Sequence, residues 1–315
     1  MKPPALIADI GGTNFRFALV GESGDVGDVE VLKVREFPDP AAAAEAYLAK
    51  ASPEEKPQRA AFGVASVVAG DRIDLTNHPW TFSIQQTRET LGLERLRVVN
   101  DVLALTLAVP HLTSTDLAPI SQGKAVPDAP IVVVAPGTGL GAAALIPSSG
   151  GGTPVATEAG HATVAAVTAR EAEIVAHLKE RFGHVSYERI VSGPGLVNVY
   201  QTICQLDGVS CDPETDPATV VRMANAGENS GATETLRVFA ALLGTFAGNM
   251  ALPFCAQGGV FIGGGVPLKL GMGFDGAIFR RRFEEKGRFA AYLSKIPSAL
   301  ITHSTPALIG LAHTV

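Results

Sequence analysis

The residues best suited to chemistry fall at the ends of apolar strands. The first group is Asp9 and the turn behind it, in Ala8-Asp9-Ile10-Gly11-Gly12-Thr13-Asn14. Two glycines and a threonine make a turn without bulk. Its backbone N–H groups can wrap phosphate oxygens, and the aspartate beside it can hold a magnesium ion through water. The same stretch also reads as an ordinary hairpin tip. Gly137-Thr138-Gly139 and Gly263-Gly264-Gly265 follow apolar strands in the same way. Turns of this kind, repeated at strand ends, suit a nucleotide, which needs N–H donors for its phosphates and flat surface for its base. The plainer alternative is a set of unrelated turns in a chain with 34 glycines.

Asn100-Asp101 closes the apolar run Leu96–Val99 and opens another apolar segment. A carboxylate there is rigidly placed. It can accept the proton of a hydroxyl nucleophile within about 3 Å, or it can cap the following helix; one oxygen could serve each use. Glu158 and His161 lie three residues apart after a strand. A metal pair would need third and fourth ligands at related spacing, and none follows. A clamp for hydroxyl groups is the functional reading, and an exposed Glu beside a satisfied His is the bland one. Glu188, on local grounds, reads as a solvated helix residue.

The elements that must position these residues form a repeated plan. Strands at 5–10 and 15–20 make an opening hairpin, with a third strand at 29–37. Asp39 and Pro40 start a helix over 40–50 as cap and first residue. Strands follow at 60–68 and 72–76. Ser83 and Gln86 make a capping box for a helix to about Leu91. A strand at 96–99 precedes a buried helix over 102–109, stopped by Pro110. The second half begins the same way, with strands at 131–135, 142–146 and 153–157. Thr168 and Glu171 box a helix that ends near Phe182 with Gly183 as its stop. A polar loop at 205–217, a broken helical region at 217–256, a strand at 260–262, a helix at 275–286, a strand at 299–302 and a helix opened by Thr305-Pro306 complete the chain. The pattern is α/β with mixed sheets.

Composition agrees. The 315 residues are 46% hydrophobic and 18% charged, enough for a large core spread over roughly two domains. A net charge of −6 argues against a broad nucleic-acid surface. The three cysteines, Cys204, Cys211 and Cys255, lack paired spacing, as expected of reduced thiols in a cytoplasm. Neither a signal peptide nor a membrane-spanning run is expected.

Taken together, these stretches identify a resemblance. The chain resembles the bacterial glucokinases, in the superfamily that also holds hexokinases, actin and the heat-shock chaperone ATPases. The resemblance runs nearly end to end. It is carried by Ala8–Asn14, Leu75-Thr76-Asn77-His78-Pro79-Trp80, Val99-Asn100-Asp101, Pro136–Gly141, Glu158-Ala159-Gly160-His161, Gly183-His184-Val185-Ser186 with Glu188, Ser192–Asn198 and Gly259–Gly265. The resemblance implies two actin-like, ribonuclease H-like α/β domains flanking a cleft. A small domain would be 1–110 plus 299–315, and a large one 111–298. It implies a cytoplasmic, homodimeric enzyme that uses ATP and Mg2+ to phosphorylate glucose at the 6-hydroxyl, the first step of glycolysis, with neither nucleic acid nor membrane as a partner. Asp101 would be the catalytic base. Asn100, Asp101, Glu158, His161 and Glu188 would bind the sugar. Ala8, Asp9, Ile10, Gly11, Gly12 and Thr13, with Gly137, Thr138 and Gly139, would hold the ATP phosphates, Asp9 lying near magnesium through water. Gly263 and Gly264 would lie against the adenosine.

The departures matter too. Related repressor-and-kinase (ROK) sugar kinases carry a cysteine-rich zinc motif after the histidine. Here Ala162-Thr163-Val164-Ala165 follows His161, so zinc is not expected. Ala65-Ser66-Val67 stands where the family usually has a small residue and then proline, in a loop that bears on sugar choice. Lysine and arginine are not evident at the phosphate turns, so charge neutralisation would fall to magnesium, backbone N–H groups and helix N-termini. Three alternatives remain: a kinase of another hexose such as fructose or mannose, a non-catalytic sugar sensor on the same fold, and a chaperone- or actin-type ATPase. With Asp9 nine residues from the start, no helix-turn-helix segment is expected before it, which disfavours a regulator. The last alternative leaves Asn100-Asp101 and Glu158/His161 unexplained.

Overall fold

The computed structural model describes residues 3–11, 14–75, 80–149 and 152–315. The chain divides into two compact units, Met1–Thr113 with His303–Val315, and Ser114–Thr302.

In the first unit the strands are β1 (Ala5–Ile10), β2 (Asn14–Val20), β3 (Glu30–Lys33), β4 (Arg59–Val64), β5 (Arg72–Asp74), β6 (Thr81–Ser83) and β7 (Arg95–Asn100). The main sheet has the order β3-β2-β1-β4-β7, and β5 pairs with β6 alone. β1, β4 and β7 run parallel, whereas β2 and β3 are antiparallel to their neighbours. The carboxyl ends of the parallel strands therefore share one rim, where α/β sheets bind ligands. Asp9 and Gly11, Ala65 and Ser66, and Asn100 and Asp101 all lie on it. The middle strand β1 is buried on both faces from Ala5 to Ala8, as that apolar run requires. Phe15, Phe17 and Phe62 pack on one face, against Tyr47 of α1 (Pro40–Ala51). α2 (Ile84–Thr90) is capped by Ser83, whose hydroxyl accepts the Gln86 N–H. On the other face Ile7, Ala61 and Val99 meet Ala104, Leu308 and Leu311. These last come from α3 (Asp101–Ala108) and the closing helix Pro306–Ala312. The two helices touch at Gly310, where an added methyl would strike the Ala104 carbonyl.

The second unit holds β8 (Leu117–Pro119), β9 (Ile131–Pro136), β10 (Leu140–Ile146), β11 (Thr153–Thr157), β12 (Gly259–Ile262) and β13 (Ser298–Ile301). Their order, β11-β10-β9-β12-β13-β8, repeats the first sheet strand for strand and adds the antiparallel edge strand β8. β9, β12 and β13 are parallel, so Gly137 and Gly263 follow two neighbouring carboxyl ends. The helices are α4 (Ala169–Phe182), α5 (Gly193–Leu206), α6 (Pro217–Asn225), α7 (Ser230–Ala251), α8 (Gly265–Leu270), α9 (Gly276–Glu284) and α10 (Ala290–Leu293). α7 is apolar around most of its circumference and is buried between its neighbours.

Several expected elements end differently. The strand expected over 29–37 is extended only at Glu30–Lys33 and then tightens into a single turn. The strand expected over 60–68 stops at Val64, because the Ser66 N–H turns back to the Val64 carbonyl. The strand near 299–302 pairs with β12, with Val260 opposite Ser298, and so lies in the second sheet, whereas the helix after it packs in the first unit. No described helix is long and apolar enough to cross a membrane.

Candidate active site

In the first unit, Asp9 sits opposite Arg16 in the β1–β2 register. Arg16 Nη1 donates to Asp9 Oδ2 at 3.0 Å. Burial pushes the Asp9 carboxyl up, and Arg16 partly opposes it. A divalent ion beside it would oppose it further. One carboxylate, with water and phosphate completing the shell, fits the way magnesium is usually held. No group of three or more His, Cys, Asp or Glu among the described residues forms a metal cage. Lys33 Nζ donates to Asn14 Oδ1 at 2.8 Å. The absence of cations expected at this turn is thus corrected: Arg16 and Lys33 both reach it from neighbouring strands, a proximity set by cross-strand register. Ala8 and Ile10 are buried in the strand core, so only their backbones could meet a ligand. The Gly11 N–H donates to the Asn14 carbonyl at 3.1 Å and closes the hairpin. Gly12 and Thr13 lie outside the described residues, as do Thr76 to Pro79.

Asn100, not Asp101, caps α3. Its Oδ1 accepts the N–H groups of Val102 at 2.9 Å and Leu103 at 3.2 Å. The capping alternative offered for Asp101 thus belongs to Asn100. Asp101 is the first helical residue, and its Oδ1 accepts the Val102 N–H at 2.8 Å. The carboxylate is thereby held at a helix N-terminus, which favours negative charge. Asn100 Nδ2 donates to the Ser66 carbonyl at 3.2 Å. Ser66 in turn donates its hydroxyl to the Asp74 carbonyl at 2.5 Å.

In the second unit, three expected residues come together. His161 lies between two carboxylates, with Nε2 3.9 Å from Glu158 Oε2 and Nδ1 4.0 Å from Glu188 Oε1. Glu158 and His161 bracket one tight turn, Ala159–His161. Gly160 makes that turn possible: an added methyl would overlap the Leu140 carbonyl. Both side chains are more than half exposed. Glu188 is not a solvated helix residue. Its Oε2 accepts the Leu140 N–H at 2.9 Å, immediately after the Gly137-Thr138-Gly139 turn. That bond spans 48 residues of sequence, which local reasoning does not reach.

The turn itself is braced. The Gly137 N–H donates to the Gly139 carbonyl and the Gly193 N–H to the Gly137 carbonyl, both at 2.8 Å. The 14-residue helix α5, capped by Ser192, therefore starts against the turn. A helix N-terminus there favours an anion. Thr138 is exposed at the tip. The Gly263 N–H continues the ladder to the Val134 carbonyl. Gly264, at φ +78°, lies so close to the Pro136 carbonyl that only glycine fits.

Known proteins share this sequence and this fold. The sequence profile of the glucokinase family matches residues 6–315. A glucokinase of Paramagnetospirillum magneticum is 48% identical over all of this chain and 98% of its own length. One from Chromobacterium violaceum is 43% identical over 98% of this chain and 88% of its own. The crystal structure of a glucokinase from an Antarctic psychrotroph superposes with a TM-score of 0.88 at 33% identity, covering all of both chains. The architecture is the two-domain actin-like fold of that structure. The chain belongs to the glucokinase family.

Proposed function

We propose that this chain transfers the γ-phosphoryl group of ATP to the 6-hydroxyl of glucose, giving glucose 6-phosphate and ADP. Family membership over the whole sequence carries this reading. The local chemistry supports it. Asp101 accepts the proton of the 6-hydroxyl as its oxygen attacks the γ-phosphorus. Asn100, Glu158, His161 and Glu188 hydrogen-bond the other hydroxyls, each of which is both donor and acceptor. A sugar lacking one of them would leave one of these polar groups without its partner, and that gives selectivity. The turns at Gly11 and Gly137–Gly139 hold the phosphates, with Arg16 and the start of α5 adding positive potential. Gly263 and Gly264 leave room for the adenosine. Magnesium, held near Asp9 through water, would neutralise phosphate charge. The three cysteines are free, which suits a reducing cytoplasm. A homodimer follows the family resemblance, and sedimentation would test it.

A coupled assay of ADP release across glucose, mannose, fructose and N-acetylglucosamine, with and without magnesium, tests the reading. Glucose should give the highest kcat/KM, and only with the ion. ATP turnover independent of sugar would overturn it.

A further inference from the structure

We infer that Glu188 is shared between the two substrates, so that glucose and nucleotide report to each other through one carboxylate. The inference rests on the proposed roles of Glu188 toward the sugar and of Gly137–Gly139 toward the phosphates. Glu188 Oε1 faces His161 on the sugar side. Oε2 holds the Leu140 N–H directly behind the glycine turn. The backbone of Glu188 is tied to the same turn by a second route. Ser192, 2% exposed, donates its hydroxyl to the Glu188 carbonyl at 2.7 Å. The next residue, Gly193, donates its N–H to the Gly137 carbonyl at 2.8 Å. The segments 137–140 and 188–193 thus close a hydrogen-bonded ring. Moving the turn to fit phosphates moves the carboxylate that orients the sugar. Ser192 is a positioning residue in this ring.

Gly139 offers a direct probe. Its φ lies outside the left-handed region, and among the described residues beyond its chain neighbours a methyl added there comes within 4 Å of Glu188 alone, with Oε2 at 2.5 Å and Cδ at 3.4 Å. Gly139→Ala therefore meets Glu188 first among the described residues beyond its chain neighbours.

Calorimetric titration of the purified protein with glucose, alone and with saturating magnesium ADP, tests the idea on wild type, Gly139→Ala, Glu188→Gln and Ser192→Ala. Wild type should bind glucose several-fold tighter with the nucleotide present, a coupling of ordinary size. Gly139→Ala should weaken glucose binding about tenfold even without nucleotide, the loss expected when a hydrogen bond to a charged group is broken. Ser192→Ala should bring the coupling to within about twofold of none, and Ser192→Thr, which keeps the hydroxyl, should restore it. Glucose affinity in Gly139→Ala equal to wild type, with Glu188→Gln weakened, would overturn the shared carboxylate and leave the sugar site standing. Unchanged affinity in Glu188→Gln would instead remove Glu188 from the sugar site. If Gly139→Ala proves unfolded by melting, the serine variants decide, and coupling retained in Ser192→Ala overturns the proposal.

Discussion

The side-chain amide of Asn100 donates to the carbonyl of Ser66 across 3.2 Å, so the loop after β4 and the start of α3 are fixed to each other. An asparagine has two N–H donors and one oxygen with two lone pairs. Val102 and Leu103 occupy the oxygen, and Ser66 takes one donor. What Asn100 can still offer a sugar is a single N–H. In the proposed sugar site, the Ala65-Ser66-Val67 loop would act on the sugar through Asn100.

Ser66→Ala should therefore raise KM for glucose about threefold to fivefold, as expected for the loss of one neutral hydrogen bond, here that to the Asp74 carbonyl. KM for ATP should move less than about twofold. Steady-state kinetics with each substrate varied separately would check this. Equal rises in both constants would mean general loosening instead.

Because Asn100 carries the cap, the proposed base at Asp101 and the helix cap stand at adjacent positions and can be probed one at a time. Asp101→Asn should lower kcat by a factor of about 100 to 10,000 with the melting temperature nearly unchanged. Asn100→Ala should cost about 1 kcal/mol of stability. Calorimetric melting alongside turnover of each variant distinguishes the two. A destabilised but active Asp101→Asn enzyme would reverse the assignment.

Glu171 and Arg282 form a buried pair between α4 and α9, with Arg282 Nη1 2.5 Å from Oε1 and Nη2 3.2 Å from Oε2. Burial alone pushes the Glu171 carboxyl up. Arg282 and the N–H groups of Val167 and Thr168 outweigh it, and the result lies below the ordinary range. The carboxylate thus binds its proton more weakly when folded. Its contribution is present above the ordinary glutamate value near 4.5 and fades as pH falls through the folded value. Glu171→Gln should destabilise by about 3 kcal/mol at neutral pH, and the gap to wild type should close in acid. Urea unfolding at a series of pH values would measure it.

His111 and His313 stack with ring centroids 3.3 Å apart. Burial, with His313 adding to it, lowers the His111 pKa. A histidine that resists protonation when folded stabilises the protein above its unfolded value of about 6.5. That contribution is lost as pH falls from there through the folded value. The melting temperature should drop on acidification below that point, and His313→Gln should flatten the drop. An identical pH profile in the variant would exclude the pair as its source.

Much of this was legible locally. The strand over 5–10, the caps at Asp39 and Thr168 and the glycine turns after Pro136 and Ile262 are set by neighbours in sequence, and the structure has them where expected. What escaped was set by distance or by a single step of register. Asn100 and Asp101 both suit a cap, so composition alone could not choose between them. Arg16 reaches Asp9 only because β2 folds back with that register. Glu188 looked ordinary because its partner, the Leu140 N–H, is a backbone group far away in sequence. Helix α5 begins with Gly193-Pro194-Gly195, a start whose glycines mask the helix behind it.

The closing helix carries a further consequence. Leu308 and Leu311 complete the face of the first sheet, and Gly310 lies against α3, the helix that begins at Asp101. Yet the ribosome must make the whole second unit before it reaches them. The amino-terminal unit is therefore synthesised first and finished last. Until residues 303–315 emerge, Ile7, Ala61 and Ala104 lack their apolar cover, and the nascent chain is most open to aggregation or chaperone capture in that interval.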